Sequence, residues 1–172
     1  TVAKETELPV ILYNVPSRTS INMLPETVAR LSKIENIVGI KEASGNLVQV
    51  SEIIQLCGPD FEVISGEDAL TWPILALGGK GVISVTANIV PNKLSKLYEA
   101  ALKGDMDTAG SLHYELLKLN DVMFIETNPI PVKAALAMMG QIDNEFRAPL
   151  CPPSENTLAI LKSVLQEYSL VD

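Results

Sequence analysis

Several kinds of site are excluded by what this sequence has little of. Its 172 residues include one histidine, one tryptophan and two cysteines, and aromatic side chains make up only 5%. Cys57 and Cys151 lie 94 positions apart, a spacing that fits neither a paired set of zinc ligands nor a disulfide framework. Cations are also scarce: 13 Lys and Arg stand against 21 Asp and Glu, for a net charge of −8. Nucleic acid and anionic membranes are bound through clustered basic side chains, and no such cluster is present. Apolar runs stay far below the roughly 20 residues of a membrane span. The stretch Thr1–Pro9 has no apolar signal core. These shortages predict a soluble, cytoplasmic protein with no metal site; no cofactor is expected. Its length suits one globular domain of roughly 100–200 residues.

What the sequence does contain is apolar patterning. Four β-branched runs stand out, at Pro9–Tyr13, Ile37–Ile40, Phe61–Ile64 and Gly81–Val85. Each is continuous rather than alternating, as in strands buried on both faces of a parallel sheet. Helical stretches separate them. One follows Pro25 and carries Val28, Leu31 and Ile34 on one side, and a second carries Leu47, Val50, Ile53, Ile54 and Cys57 and stops at Gly58. A third runs from Asp68 to Leu77, and a fourth opens at Pro91 and closes at Gly104, with proline at the start and glycine past the end. The first 104 residues therefore read as four consecutive βα units. Beyond them only helices are predicted, over 105–124, 131–139 and 154–168. Four parallel strands leave two architectures, an open doubly wound sheet or half of a (β/α)8 TIM barrel, which typically needs about 250 residues.

Both architectures bind ligands at the carboxyl ends of the strands, where each apolar run turns polar. Lys41 directly follows Val38-Gly39-Ile40. A lysine at a strand end, shielded from water, can attack a carbonyl as a neutral amine and form a Schiff base. The alternative is a structural ion pair with Glu42 or another carboxylate. Tyr13 ends the first strand, where its phenol can pass a proton to and from a carbinolamine if a second hydroxyl orients it. Equally, it can be a barrel aromatic with a bonded hydroxyl. Arg18, in the loop Pro16-Ser17-Arg18-Thr19, offers a fork for a substrate carboxylate or is an ordinary surface arginine. Gly66 admits close approach of a ligand to the backbone, or is merely a turn. Other features read as structure. His113 lies on a helix beyond the strands, Gly78-Gly79-Lys80-Gly81 precedes a strand instead of opening a helix, and Trp72, Met138 and Met139 fall at packing positions. Asp105 and Asp107 suit a helix N-terminus.

The run Tyr13-Asn14-Val15-Pro16-Ser17-Arg18-Thr19 is followed by Gly39-Ile40-Lys41-Glu42-Ala43-Ser44-Gly45, with Lys41 28 positions after Tyr13. Ser65-Gly66-Glu67-Asp68, Gly79-Lys80-Gly81-Val82-Ile83-Ser84-Val85 and Asn128-Pro129-Ile130-Pro131-Val132-Lys133 come after them. In this order the segments closely resemble the dihydrodipicolinate synthase family. The resemblance implies a (β/α)8 barrel with C-terminal helices, of which residues 1–104 are strands five to eight and residues 105–172 a helical extension. It also implies pyruvate bound as a Schiff base on Lys41, proton relay by Tyr13, and Arg18 on the carboxylate of aspartate semialdehyde. Gly66 and Ile83 would line the pyruvate pocket, and the assembly would be a homotetramer serving lysine and diaminopimelate synthesis. The Gly-Thr-Thr-Gly-Glu loop that the family carries in its first barrel half is absent. The expectation is a chain that lacks the N-terminal half and has little activity by itself. A sister activity, N-acetylneuraminate lyase or a keto-deoxy-sugar aldolase, shares the Tyr and Lys. The carboxylate clamp at Arg18 favours the synthase. A half-barrel assembly module without catalysis is the remaining alternative.

Overall fold

All four apolar runs become strands of a single parallel sheet. In the computed structural model, which describes residues 1–172, the strands are β1 (Val10–Asn14), β2 (Ile37–Glu42), β3 (Glu62–Ser65) and β4 (Gly81–Val82), hydrogen-bonded in the order β1-β2-β3-β4. That sequential order has no reversal point. A doubly wound sheet requires one, so the sheet is an arc of barrel type. β4 is shorter than the run Gly81–Val85. The Ile83 N–H still bonds the Ser65 carbonyl at 2.9 Å. The next residue then leaves the ladder, and its hydroxyl donates to the Asp68 carboxylate.

Chain units can be described one at a time. Thr1–Ser84 and Ala101–Gly104 form one, and Val85–Ala100 and Asp105–Asp172 form the other. In the first unit, short α1 (Pro16–Thr19), α2 (Pro25–Leu31), α3 (Leu47–Cys57) and α4 (Thr71–Ala76) connect the strands. Their apolar sides meet one face of the sheet. Val28 of α2, Val50 and Ile53 of α3 and Ile74 of α4 form one buried cluster with Ile37, Ile40, Phe61 and Val63. Val28, Ile40 and Ile53 are 0% exposed. Each such side chain contributes about 1.5–3 kcal/mol by leaving water. The opposite face is uncovered, with Ile11, Tyr13 and Ile83 all exposed. This departs from the two-sided burial that continuous apolar runs predict.

Local chemistry explains the boundaries. Asn46 caps α3, its side chain accepting from the backbone N–H of Val48 and Gln49 at 3.0 and 3.2 Å, and the helix ends at Gly58. The predicted third helix divides into a 3-10 turn at Asp68–Leu70 and α4. The glycine-rich segment is the tight turn from α4 to β4, with Gly78 at φ +105°, a left-handed backbone that only glycine adopts without strain.

The second unit contains α5 (Pro91–Leu102, most of which belongs to it), α6 (Met106–Val122), α7 (Ile130–Met138) and α8 (Glu155–Glu167). α6 and α7 each pack against α8, burying Leu116, Leu119, Ala135, Leu161 and Leu165. Asp105 caps α6 by accepting from the Thr108 N–H at 3.1 Å, and hydrogen bonds from Thr108 hold its carboxyl below the usual range. His113 lies half-buried on α6 with its ring edge-on to Tyr114, and burial pushes its pKa down. No helix is long and apolar enough to cross a membrane.

Candidate active site

The parallel pairing of β1 with β2 decides which side chains meet. Tyr13 lies opposite Lys41, and Asn14 opposite Glu42. Successive residues of a strand point to opposite faces. Tyr13 and Lys41 therefore share the uncovered face, while Asn14 and Glu42 share the helix-covered one. The Lys41 Nζ lies over the Tyr13 ring, 4.4 Å from its centroid. Lys41 makes no ion pair. The neighbouring Glu42 carboxylate is on the other side of the sheet.

Gly66, just beyond β3, shapes the space around the lysine. A Cβ added there would stand 2.8 Å from the Ala43 Cβ, 3.0 Å from the Lys41 Cε and 3.1 Å from its Cγ. Real Cβ atoms do not approach so closely, so only glycine leaves room for the lysine stem as it lies. Ile83 follows β4 on the same sheet and is half exposed. Arg18 is exposed on α1. The structure thus brings together Tyr13, Lys41 and Gly66; Arg18 and Ile83 are not part of that contact.

Behind this pair lies a polar network that composition and spacing do not reveal. Glu42 is buried and accepts from Asn14 Nδ2 at 3.0 Å, Gln49 Nε2 at 3.2 Å and the Ser44 N–H at 2.6 Å. Asn14 also donates to Asn22 Oδ1 at 2.8 Å, and its own Oδ1 accepts from the Met23 N–H at 2.9 Å. Gln49, in the first turn of α3, exchanges hydrogen bonds with Asn22 at 2.8 and 3.1 Å. The one available sequence signal was a polar residue directly after each of Tyr13 and Lys41, on the face where packing calls for an apolar one. A second buried carboxylate, Asp68, ties the end of β3 to Ser84.

The profile of the dihydrodipicolinate synthetase family matches residues 1–168. This chain belongs to that family. Dihydrodipicolinate synthetase relatives resemble it closely. The 4-hydroxy-tetrahydrodipicolinate synthase of Thermodesulfovibrio yellowstonii is 56% identical over 170 residues, which are 99% of this chain and 58% of that protein. Among solved structures, the dihydrodipicolinate synthase of Aquifex aeolicus superposes with a TM-score of 0.95 at 47% identity, covering 98% of this chain and 58% of that one. The synthase of Acinetobacter baumannii, solved in complex with pyruvate, superposes with a TM-score of 0.95 at 40% identity, covering 99% and 58%. The chain thus spans less than two thirds of the length of these family members. Its sheet is a partial (β/α)8 barrel of the dihydrodipicolinate synthetase type.

Proposed function

We propose that this chain carries the Schiff-base part of a 4-hydroxy-tetrahydrodipicolinate synthase, a lyase that condenses pyruvate with L-aspartate 4-semialdehyde. The observation that carries the reading is Lys41, free of any ion pair at a strand end, with its Nζ over the Tyr13 ring. The amine of Lys41 adds to the keto carbon of pyruvate, and the carbinolamine loses water to give the imine. Tyr13 gives and takes the protons of these steps. Loss of a methyl proton converts the imine to an enamine, whose carbon attacks the aldehyde of the second substrate. Ring closure by the amino group of that substrate then releases Lys41. Arg18 binds the carboxylate of the aldehyde substrate. Gly66 and Ile83 line the pyruvate pocket, chiefly through their backbones.

Residues 1–104 supply strands five to eight of the barrel, and residues 105–172 a helical extension. The rest of the barrel completes the site. The assembled enzyme is a cytoplasmic homotetramer in the diaminopimelate and lysine pathway, and light scattering of the complete enzyme is expected to give four times the protomer mass.

The test is borohydride trapping. The 172-residue chain, alone and fused to the unmatched segment of the Thermodesulfovibrio relative, is treated with pyruvate and borohydride and then mapped by mass spectrometry. A reduced pyruvate adduct on Lys41 in the fused protein is expected. An adduct on another residue, or none in either protein, overturns the reading. Turnover of pyruvate with aspartate semialdehyde, set beside sialic acid cleavage, separates the synthase from its sister aldolases.

A further inference from the structure

We propose that Glu42 is a positioning residue for the Tyr13–Lys41 pair, holding the ends of β1 and β2 in place from the helix side of the sheet. The inference rests on the Schiff-base reading above and assigns part of that site's precision to residues that never touch substrate. A carboxylate that is 1% exposed and has no cation beside it is an expensive side chain to bury. An all-apolar set of side chains at positions 14, 42 and 49 would fill the same space without burying charge, so packing alone gives no reason for it.

Donors surround it, and they are fixed in direction. The Met23 N–H occupies the Asn14 carbonyl, so the amino group of Asn14 must face Glu42. Asn22 donates to the Gln49 carbonyl, so the amino group of Gln49 turns the same way. The third donor, the Ser44 N–H, is backbone and cannot flip. No acceptor is offered to either Glu42 oxygen, and the cage therefore fits a group that accepts at both. A glutamine would set its amino group against a donor whichever way it turned.

The mechanical link is the strand register. Asn14 and Glu42 are themselves a register pair, each immediately following a member of the reactive pair. The Ala43 N–H bonds the Asn14 carbonyl at 2.9 Å and extends the ladder past them. Any twist or slip at these ends that loosens the Asn14–Glu42 bond displaces Tyr13 from Lys41 on the opposite face.

The experiment follows pyruvate trapping on Lys41 in the fused protein, with thermal unfolding measured in parallel. Glu42→Gln is expected to slow trapping about tenfold, as small misplacements at a reacting centre do, with half-saturation by pyruvate unchanged within about twofold. In a Tyr13→Phe background the same change is expected to cost less than about threefold, because the pair it positions is already broken. Equal slowing in both backgrounds means that Glu42 only supports the fold, and overturns the proposal. Asn22→Ala removes an exposed member of the cage, keeps the test available if Glu42→Gln does not fold, and is expected to slow trapping about threefold. Unchanged trapping in both variants overturns the positioning role alone, whereas no adduct in the unsubstituted protein overturns the Schiff-base reading and this inference together.

Discussion

Gly66 and the lysine it accommodates show how little tolerance the site has. Gly66→Ala places a methyl within 3.0 Å of the Lys41 Cε and 2.8 Å of the Ala43 Cβ. Overpacking of this kind costs about 1–3 kcal/mol, and here the flexible lysine stem yields first. Trapping of pyruvate on Lys41 is expected to fall at least about tenfold, with a small drop in Tm by calorimetry. The two cysteines separate by environment. Burial pushes the Cys57 thiol up, against the opposing influence of Ser32 and Lys33, while Cys151 is exposed. Iodoacetamide is expected to label Cys151 well before Cys57, seen as a single mass addition at short times. At this scale Tyr13 and Lys41 are readable from the sequence, because each ends an apolar run. Asn14 and Glu42 are not, because a polar residue after a strand looks like the start of a loop until the register shows it turned toward the helices.

Three helices, α3, α6 and α8, are each capped at the N-terminus by a single side chain. The cap on α3 is Asn46, and Asn46→Ala is expected to cost about 1 kcal/mol, measured by urea unfolding. It also releases the backbone N–H of Gln49, so the network behind Lys41 is expected to loosen with it. α8 is capped by Ser154, whose N–H and hydroxyl both donate to Glu126 at 3.0 Å. A hydrogen bond from the Thr157 side chain, reinforced by those from Ser154, holds the Glu126 carboxyl below its ordinary value. A lowered carboxyl pKa stabilises the fold above the unfolded value near 4.5, and that stabilisation is lost as pH falls through the folded value. Glu126→Gln is therefore expected to be less stable than the parent at neutral pH and to converge with it in acid, as followed by pH-dependent unfolding. Proline and glycine marked most of these ends in the sequence. The split of the third helix and the two-residue β4 are not legible in the sequence, where nothing marks the bond that Ser84 makes to Asp68, 16 residues before it, at the end of the sheet.

For the whole molecule, the sheet has open edges at β1 and β4 and an uncovered face carrying Ile11, Tyr13 and Ile83. Unpaired edges and contiguous exposed apolar surface favour self-association. The 172-residue chain is expected to elute as oligomers or aggregate, and fusion to the relative's unmatched segment is expected to suppress this, as read by size exclusion with light scattering. The strand-helix alternation predicts four consecutive βα units, since each strand run and helix stripe recurs at βα spacing, while the choice of a barrel arc over a doubly wound sheet rests on the family resemblance. One-sided burial does not follow from the continuous apolar runs, which describe a strand's own surfaces and not the neighbours that cover them, but it is expected of a four-strand arc that leaves half a barrel interior exposed. The register that sets Tyr13 beside Lys41 has a further consequence for tolerance to insertion and deletion. The contact depends on which rungs of β1 and β2 align, and not on the number of residues between them. The turn at residues 32–36, outside the Asn14–Asn22–Gln49 network, can lengthen or shorten without moving the contact, whereas losing a single residue inside β1 would turn Tyr13 to the helix side and bring Asn14 into its place.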